Sequence, residues 1–294
     1  MTIPAETVAV PSPRRLMVVR ALHHPGFLLS GAILLTLVIL AISAPLIAPH
    51  DAYLQNLVMR LRPPVFLGGS WDHPLGTDAL GRDYFSRLLY GAGVSLMIGF
   101  TAASVSTLIG TTLGILAGYF GGRVDAVVRF IINVRLALPV VLVSLAIVSL
   151  FGGSLFVITT VLGLLLWDRA AVVIRSATMQ VRNHEYIAAA EVLGAPLPRI
   201  LIKDILPNIA NALIVICTIE MAHAIILESA LSFLGLGVQP PTPSWGLMIS
   251  EGKEMLLFNS WLIAIPGAAL FVLVLAINMF GDGIRDLTTP EGRN

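Results

Sequence analysis

The sequence predicts an all-α membrane protein with six transmembrane helices, and three observations carry that prediction. Apolar residues make up 56% of the 294 and charged residues only 12%, about half the charge fraction of a soluble domain. The mean hydropathy is +0.89, more apolar surface than one water-facing shell can hide. The apolar residues also fall into six runs separated by polar segments. Net charge is +1, so bulk electrostatics imply no polyanion and no nucleic-acid partner. The single cysteine, Cys217, excludes an intrachain disulfide and a multi-cysteine metal site, and reads as a small apolar packing residue.

Residues 1–26 form a polar, proline-containing tail with Arg14, Arg15 and Arg20 ahead of the first apolar run. His23 and His24 would point different ways on a helix and read as part of a solvated tail. Phe27 to Ala48 carries no charged side chain over 22 residues, enough to cross about 30 Å of hydrocarbon. A cleaved signal has a shorter apolar core and small residues at its cut, where this chain has Pro45; a retained helix is expected. Residues 49–94 turn polar and contain HPLGTDALGRD from His73. A core of five further spans, 95–280, follows.

The second span runs from about Ser95 to Tyr119. Ala102, Ser106, Gly110, Gly114 and Gly118 repeat every four residues and predict a ridge for close helix packing. A GGRVD turn at 121–125 leads through Arg129 and Arg135 to a third span, about Leu136 to Phe151, interrupted by Pro139. Gly152 and Gly153 suit a tight hairpin. The fourth span is placed at about Leu155 to Val173, with Asp168 and Arg169 near its end, where they would pair or reach the interface. The fifth covers about Ile209 to Ala230 and holds Glu220, His223 and Glu228. At 100° per residue these three fall in an arc of about 140°. Two readings fit them. Either this face lines a translocation path, as charged groups at membrane depth commonly do, or Glu228 sits at the interface and His223 is a neutral packing residue. The loop Leu231 to Gly246, LSFLGLGVQPPTPSWG, is too proline-rich to continue a helix. The last span is about Trp261 to Met279 with Pro266 in its first part, and 281–294 form a tail.

Between the fourth and fifth spans lies HEYIAAAEVLGAPLPRILIKDILP, His184 to Pro207. Asn183 suits a helix N-cap and Glu185 the positive end of the first turn. Three alanines then run to Gly194, and Pro196 and Pro198 stop the helix. The result is a smooth short rod that another surface can approach closely. This stretch resembles the EAA loop of ATP-binding-cassette importer permeases, on Ala189, Ala190, Gly194, Leu206 and Pro207. Its first motif position is Ala188 rather than Glu, as in the dipeptide, oligopeptide and nickel branch. His73 to Leu96 and Leu231 to Gly246 resemble the C-type permeases of that same branch, with Gly93 where a basic residue is expected. GDGIRDL from Gly281 also follows the family, with Thr289 where an acidic residue is usual.

The resemblance spans about residues 27–290. It implies the type I importer permease fold, with both termini cytoplasmic and a cytoplasmic coupling helix at 184–207. Contact with the ATPase would rest on Glu185, Tyr186, Ala189, Ala190, Gly194 and Arg199, with Leu206 and Pro207 setting the exit into the fifth span. It also implies the partners: a second, B-type permease, two ATPase domains and an extracytoplasmic binding protein. The cargo would be di- or oligopeptides; nickel or another small solute is the alternative within the family, and a stand-alone secondary transporter the alternative outside it.

Charge counting supports the orientation independently. Thirteen basic residues fall on the predicted inner side and five (Arg60, Arg62, Arg82, Arg87 and Lys253) on the outer, the asymmetry of the positive-inside rule. The chain has only two lysines, Lys203 and Lys253, and neither sits in a GxxxxGK[ST] phosphate cradle. No GxSxG elbow, HExxH pair or close Cys/His cluster is present, so neither a catalytic residue nor a metal site is expected. The chain is therefore expected not to be an enzyme by itself. It would hold no cofactor of its own, ATP and Mg being bound by the partner ATPases.

Overall fold

The computed structural model describes residues 20–288, so Arg14, Arg15, Thr289 and Arg293 lie outside the described residues. Helix α1 (Pro25–Ile42) starts with proline where no N–H is needed, and the Nδ1 of His24 accepts the Phe27 N–H at 3.1 Å. His24 is thus a cap rather than part of a solvated tail. Its Nε2 also lies 3.3 Å from the Asp286 carboxylate near the other end of the chain. A turn over Ala44–Ile47 completes the first span. Only 6% of the apolar window of α1 is buried, which leaves its leucines and isoleucines to lipid or a partner surface.

Helix α2 (Tyr84–Phe120) has 37 residues and is about 55 Å long, well beyond the hydrocarbon thickness. It begins eleven residues before Ser95 because Asp83 caps it, accepting the Ser86 N–H at 2.7 Å. The expected small-residue ridge is present. Ala102, Ser106, Gly110, Gly114 and Gly118 are all buried, and α6 (Trp167–Arg182) packs on their lower part. A Cβ on Gly110, Gly114 or Gly118 would run into Trp167, Ala171 or Arg175 backbone atoms. Backbone lies against backbone there.

The GGRVD segment is a single-residue break rather than a turn. Gly121 and Gly122 have φ of +63° and +49°, and helix α3 (Gly122–Ala137) starts at once. Its Asp125 is buried against Arg175 of α6, accepting a hydrogen bond from Nη2 at 2.8 Å. Pro139 then separates α3 from α4 (Val140–Phe151) with a bend of 78°. After Gly152 and Gly153 the fourth span comes down in two pieces, α5 (Leu155–Leu165) and α6, broken at Leu166. It reaches Arg182, nine residues beyond Val173. Helix α7 (Glu185–Val192), a π-helical stretch at Ile200–Ile205, α8 (Ala210–Phe233), α9 (Trp245–Gly252) and α10 (Trp261–Thr288) complete the chain.

Pro266 behaves differently from Pro139, because α10 passes through it unbroken. The carbonyl that loses its helical donor there is that of Leu262, four residues earlier. The buried Tyr84 hydroxyl of α2 donates a hydrogen bond to it instead. Five helices or joined helix pairs are long and apolar enough to cross a membrane, and six spans result when the bent α3–α4 pair is counted. Among the described residues there is no strand beyond one bridge, Thr77 to Asp83.

Three of the four apolar clusters among the described residues stack from outside to inside, and the fourth, Ala117, Val128, Ile132 and Ala171, joins α2, α3 and α6. The outer one joins Tyr84, Trp245, Trp261 and Leu273; the middle one Ile98, Ile158, Leu162 and Leu227; the inner one Tyr119, Ile174, Ile187 and Ile205. The outer end is also tied by charge. Arg82 Nε donates to Asp78 at 2.6 Å and its Nη2 to Glu251 at 3.0 Å, while fully buried Arg87 donates to both carboxylates. Trp245 of α9 is buried, its indole N–H donating to the Leu88 carbonyl at 2.9 Å and its backbone N–H to Ser95 Oγ at 3.1 Å. The two family-like signatures are therefore one joint. HPLGTDALGRD supplies Asp78 and Arg82, and the PSWG end of the proline-rich loop supplies the tryptophan.

Candidate functional site

Helix α7 sits at the inner end, between α6 and the π-helical stretch. Asn183 is not its N-cap: with φ −79° and ψ 0° it still closes α6. His184, the first extended residue (ψ 142°), takes that position without a side-chain bond, and Glu185 lies in the first turn as expected. One face is held to the body. Ile187 is buried, Ala190 packs into the inner cluster, and Glu191 accepts a hydrogen bond from the Tyr119 hydroxyl at 2.7 Å.

The opposite face is open, with Glu185, Tyr186, Ala188 and Ala189 exposed. Val192 and Leu193 are 88% and 85% exposed. Sequence reasoning missed these two; the available signal was a Val-Leu pair in an otherwise aqueous segment, between the alanines and the helix-ending glycine. Gly194 has φ +73° and its N–H bonds the Glu191 carbonyl, so the chain turns away with nothing crowding the glycine. Of the eight predicted coupling positions, Glu185, Tyr186, Ala189, Gly194, Arg199 and Pro207 are exposed, whereas Ala190 and Leu206 turn inward against the cluster. Leu206 closes the π-helical stretch by donating its N–H to the Leu201 carbonyl, five residues back, at 2.9 Å.

A second group of polar residues gathers where two spans are broken. The 11 residues of α5 descend about 16 Å from the Gly152–Gly153 end, so the break at Leu166 lies near mid-span. The Arg135 guanidinium reaches this point from α3 and donates to the Leu165 and Leu138 carbonyls, both freed by helix ends. A cavity of about 200 Å³ opens there, lined by Arg135, Pro139, Asp168, Arg169 and His223. Glu220, one turn from His223, is fully buried, and neither of its carboxylate oxygens has a hydrogen-bond partner. His223 Nδ1 lies 3.9 Å from it.

Asp168 and Arg169 thus stand at a mid-span break rather than at a membrane interface, and they form no salt bridge with each other. Arg135 and Arg169 consequently leave the inner-side charge count. Among the described residues Arg20, Arg123, Arg129, Arg175, Arg182, Arg199, Lys203 and Arg285 keep its sign. Glu228 does not join this group. It is buried two turns further out, accepting hydrogen bonds from Ser232 at 2.7 Å and Ser244 at 3.0 Å. Glu220 and His223 come together as expected, and Arg135 is the member that the sequence did not reveal.

Comparison with known proteins agrees with this layout. Residues 110–292 match the family described as binding-protein-dependent transport system inner membrane component, and residues 12–64 match the N-terminal TM domain of oligopeptide transport permease C. The di/tripeptide transport system permease protein DppC of Pseudomonas aeruginosa is 38% identical over 98% of this chain and 95% of its own length. The dipeptide permease DppC of Bacillus subtilis is 40% identical over 89% of this chain and 80% of its own. Among solved structures, the MetNI methionine ABC transporter in an inward-facing conformation aligns with a TM-score of 0.58 at 18% identity, covering 69% of this chain and 97% of that one. That likeness concerns the fold, and it is the fold of an ABC importer permease. The chain belongs to the binding-protein-dependent transport system inner membrane components, as a permease subunit of the inner membrane.

Proposed function

We propose that this chain is one transmembrane half of an ATP-driven importer of di- and oligopeptides, driven through α7. The peptide cargo follows from the names of the relatives, which are peptide permeases over most of this chain's length. The open face of α7 is the observation that carries the mechanism. Tyr186, Ala189, Val192 and Leu193 form an unpartnered, largely apolar surface on a helix whose other face is bonded to Tyr119 and packed on Ile200 and Ile205. Exposed apolar surface on the aqueous side needs a partner, and the partner proposed is an ATPase domain, two of which bind ATP and Mg for the assembly.

A displacement of α7 passes through the inner cluster to α2 and α6 and through Leu206 and Pro207 to α8. The helix that receives it carries Glu220 and His223, so the polar cavity at the breaks lies on the proposed translocation path between this chain and a second, B-type permease. An extracytoplasmic binding protein delivers the peptide at the clamped outer end. Ala189→Trp tests the reading, because it enlarges the open face without touching a buried atom. Uptake of a labelled dipeptide by cells carrying that variant should fall at least tenfold with the complex still assembled. Normal uptake at normal assembly contradicts it.

A further inference from the structure

Outside the lever and the cavity, the extracytoplasmic end holds a cluster that neither transport nor the charged clamp uses. Asp83, whose side chain is 1% exposed, is the N-cap of α2. Its Oδ2 is occupied by the Ser86 N–H at 2.7 Å, which fixes Oδ1 facing outward. Two imidazoles address that one oxygen: His73 Nδ1 at 2.8 Å and His50 Nδ1 at 3.8 Å. Their rings are 4.5 Å apart between centroids. One ligand atom from each of the three residues lies within 4.8 Å of the other two. A hydrogen bond from His73 to Asp83 accounts for that pair alone. It does not account for the His50 nitrogen, which at 3.8 Å is near the same carboxylate oxygen but too far for a hydrogen bond.

We propose that His50, His73 and Asp83 form a divalent-cation site of the zinc class on the extracytoplasmic face. Zinc takes imidazole nitrogen and carboxylate oxygen at about 2.0–2.2 Å, which in a tetrahedron sets neighbouring donors about 3.3 Å apart. The observed 2.8 Å and 3.8 Å bracket that spacing, so His73 must draw back and His50 approach, each by about 0.5 Å, to hold the ion. The donor set is one that zinc shares with other first-row ions, and the half-exposed side of His50 leaves a position for water. Ser86 supplies the outer support such sites use: its N–H holds Asp83, and its Oγ accepts the His50 backbone N–H at 3.3 Å. A bound ion would tie the end of the first span to the HPLGTDALGRD loop and to the start of α2.

Equilibrium dialysis of the purified full-length chain against zinc, with the metal counted per chain, tests this. One ion per chain is expected. His50→Ala should weaken binding at least tenfold, since His50 leaves every hydrogen bond of the loop in place. Asp83→Asn should do the same while keeping the helix cap, because asparagine caps as well as aspartate. His184→Ala, at the other end of the molecule, should leave both stoichiometry and affinity unchanged. Absence of stoichiometric zinc in the wild type, or unchanged affinity in His50→Ala or Asp83→Asn, overturns the proposal.

Discussion

The outer and inner ends of this molecule are held by different physics. At the outer end Asp78, Arg82, Arg87 and Glu251 are interlocked, and Trp245, Tyr84 and Trp261 fill the space beside them. At the inner end α7 hangs on Ile187, Ala190 and one hydrogen bond, with its other face bare. Buried charge networks cost several kcal/mol when one partner is lost, so they fix a single arrangement. A short helix with one packed face can shift as a body at small cost. The contrast teaches where force can enter: the inner end yields and the outer end resists.

Breaking the clamp should have the largest effect. Arg87→Ala leaves Asp78 and Glu251 with Arg82 as their one remaining cation in this network, and losing one partner of a buried charge network should cost about 3–5 kcal/mol, read as a collapse in the thermal midpoint of the purified protein and in its membrane level. Next comes the helix seam. Gly114→Leu must push α6 backbone away from α2 and should cost about 1–3 kcal/mol or more, whereas Gly267→Ala, where an added Cβ meets nothing within 4 Å, should be near neutral in the same melt. Tyr84→Phe removes the hydroxyl that donates to the carbonyl freed by Pro266, and an unsatisfied buried acceptor costs about 1–3 kcal/mol. A thermal midpoint equal to wild type would show that α10 does not need that bond. The smallest stability effect is expected at the lever. Tyr119→Phe loses the link to Glu191, worth about 1 kcal/mol, and should lower peptide uptake per ATP hydrolysed more than it lowers stability. Equal losses in both would erase the distinction between the ends.

Most of the architecture was legible because lipid leaves few choices. Uncharged runs located the spans, and the four-residue repeat from Ala102 to Gly118 located the α2–α6 seam before either partner was known. Breaks were harder to read. Pro139 and Pro266 look alike in sequence, yet one lies at a bend of 78° and the other inside an unbroken helix whose freed carbonyl, Leu262, accepts from the hydroxyl of Tyr84, 178 residues away. The break at Leu166 has no proline at all, so the sequence leaves Asp168 and Arg169 near the end of a span, to pair or to reach the interface. Helical projection correctly grouped Glu220 with His223 but could not show that Ser232 and Ser244 claim Glu228. Arg135 was hidden for a similar reason, since its partners are the carbonyl at the end of its own helix and one freed by the break after α5.

Accessibility of position 189 tests the lever most directly. A single cysteine placed there in a Cys217→Ala background can be challenged with a membrane-impermeant maleimide in oriented vesicles, with and without the ATPase subunits. A seated, inner-facing α7 predicts labelling from the cytoplasmic side only, and protection once the ATPases are present. Labelling from the outside, or equal labelling with and without them, would contradict it.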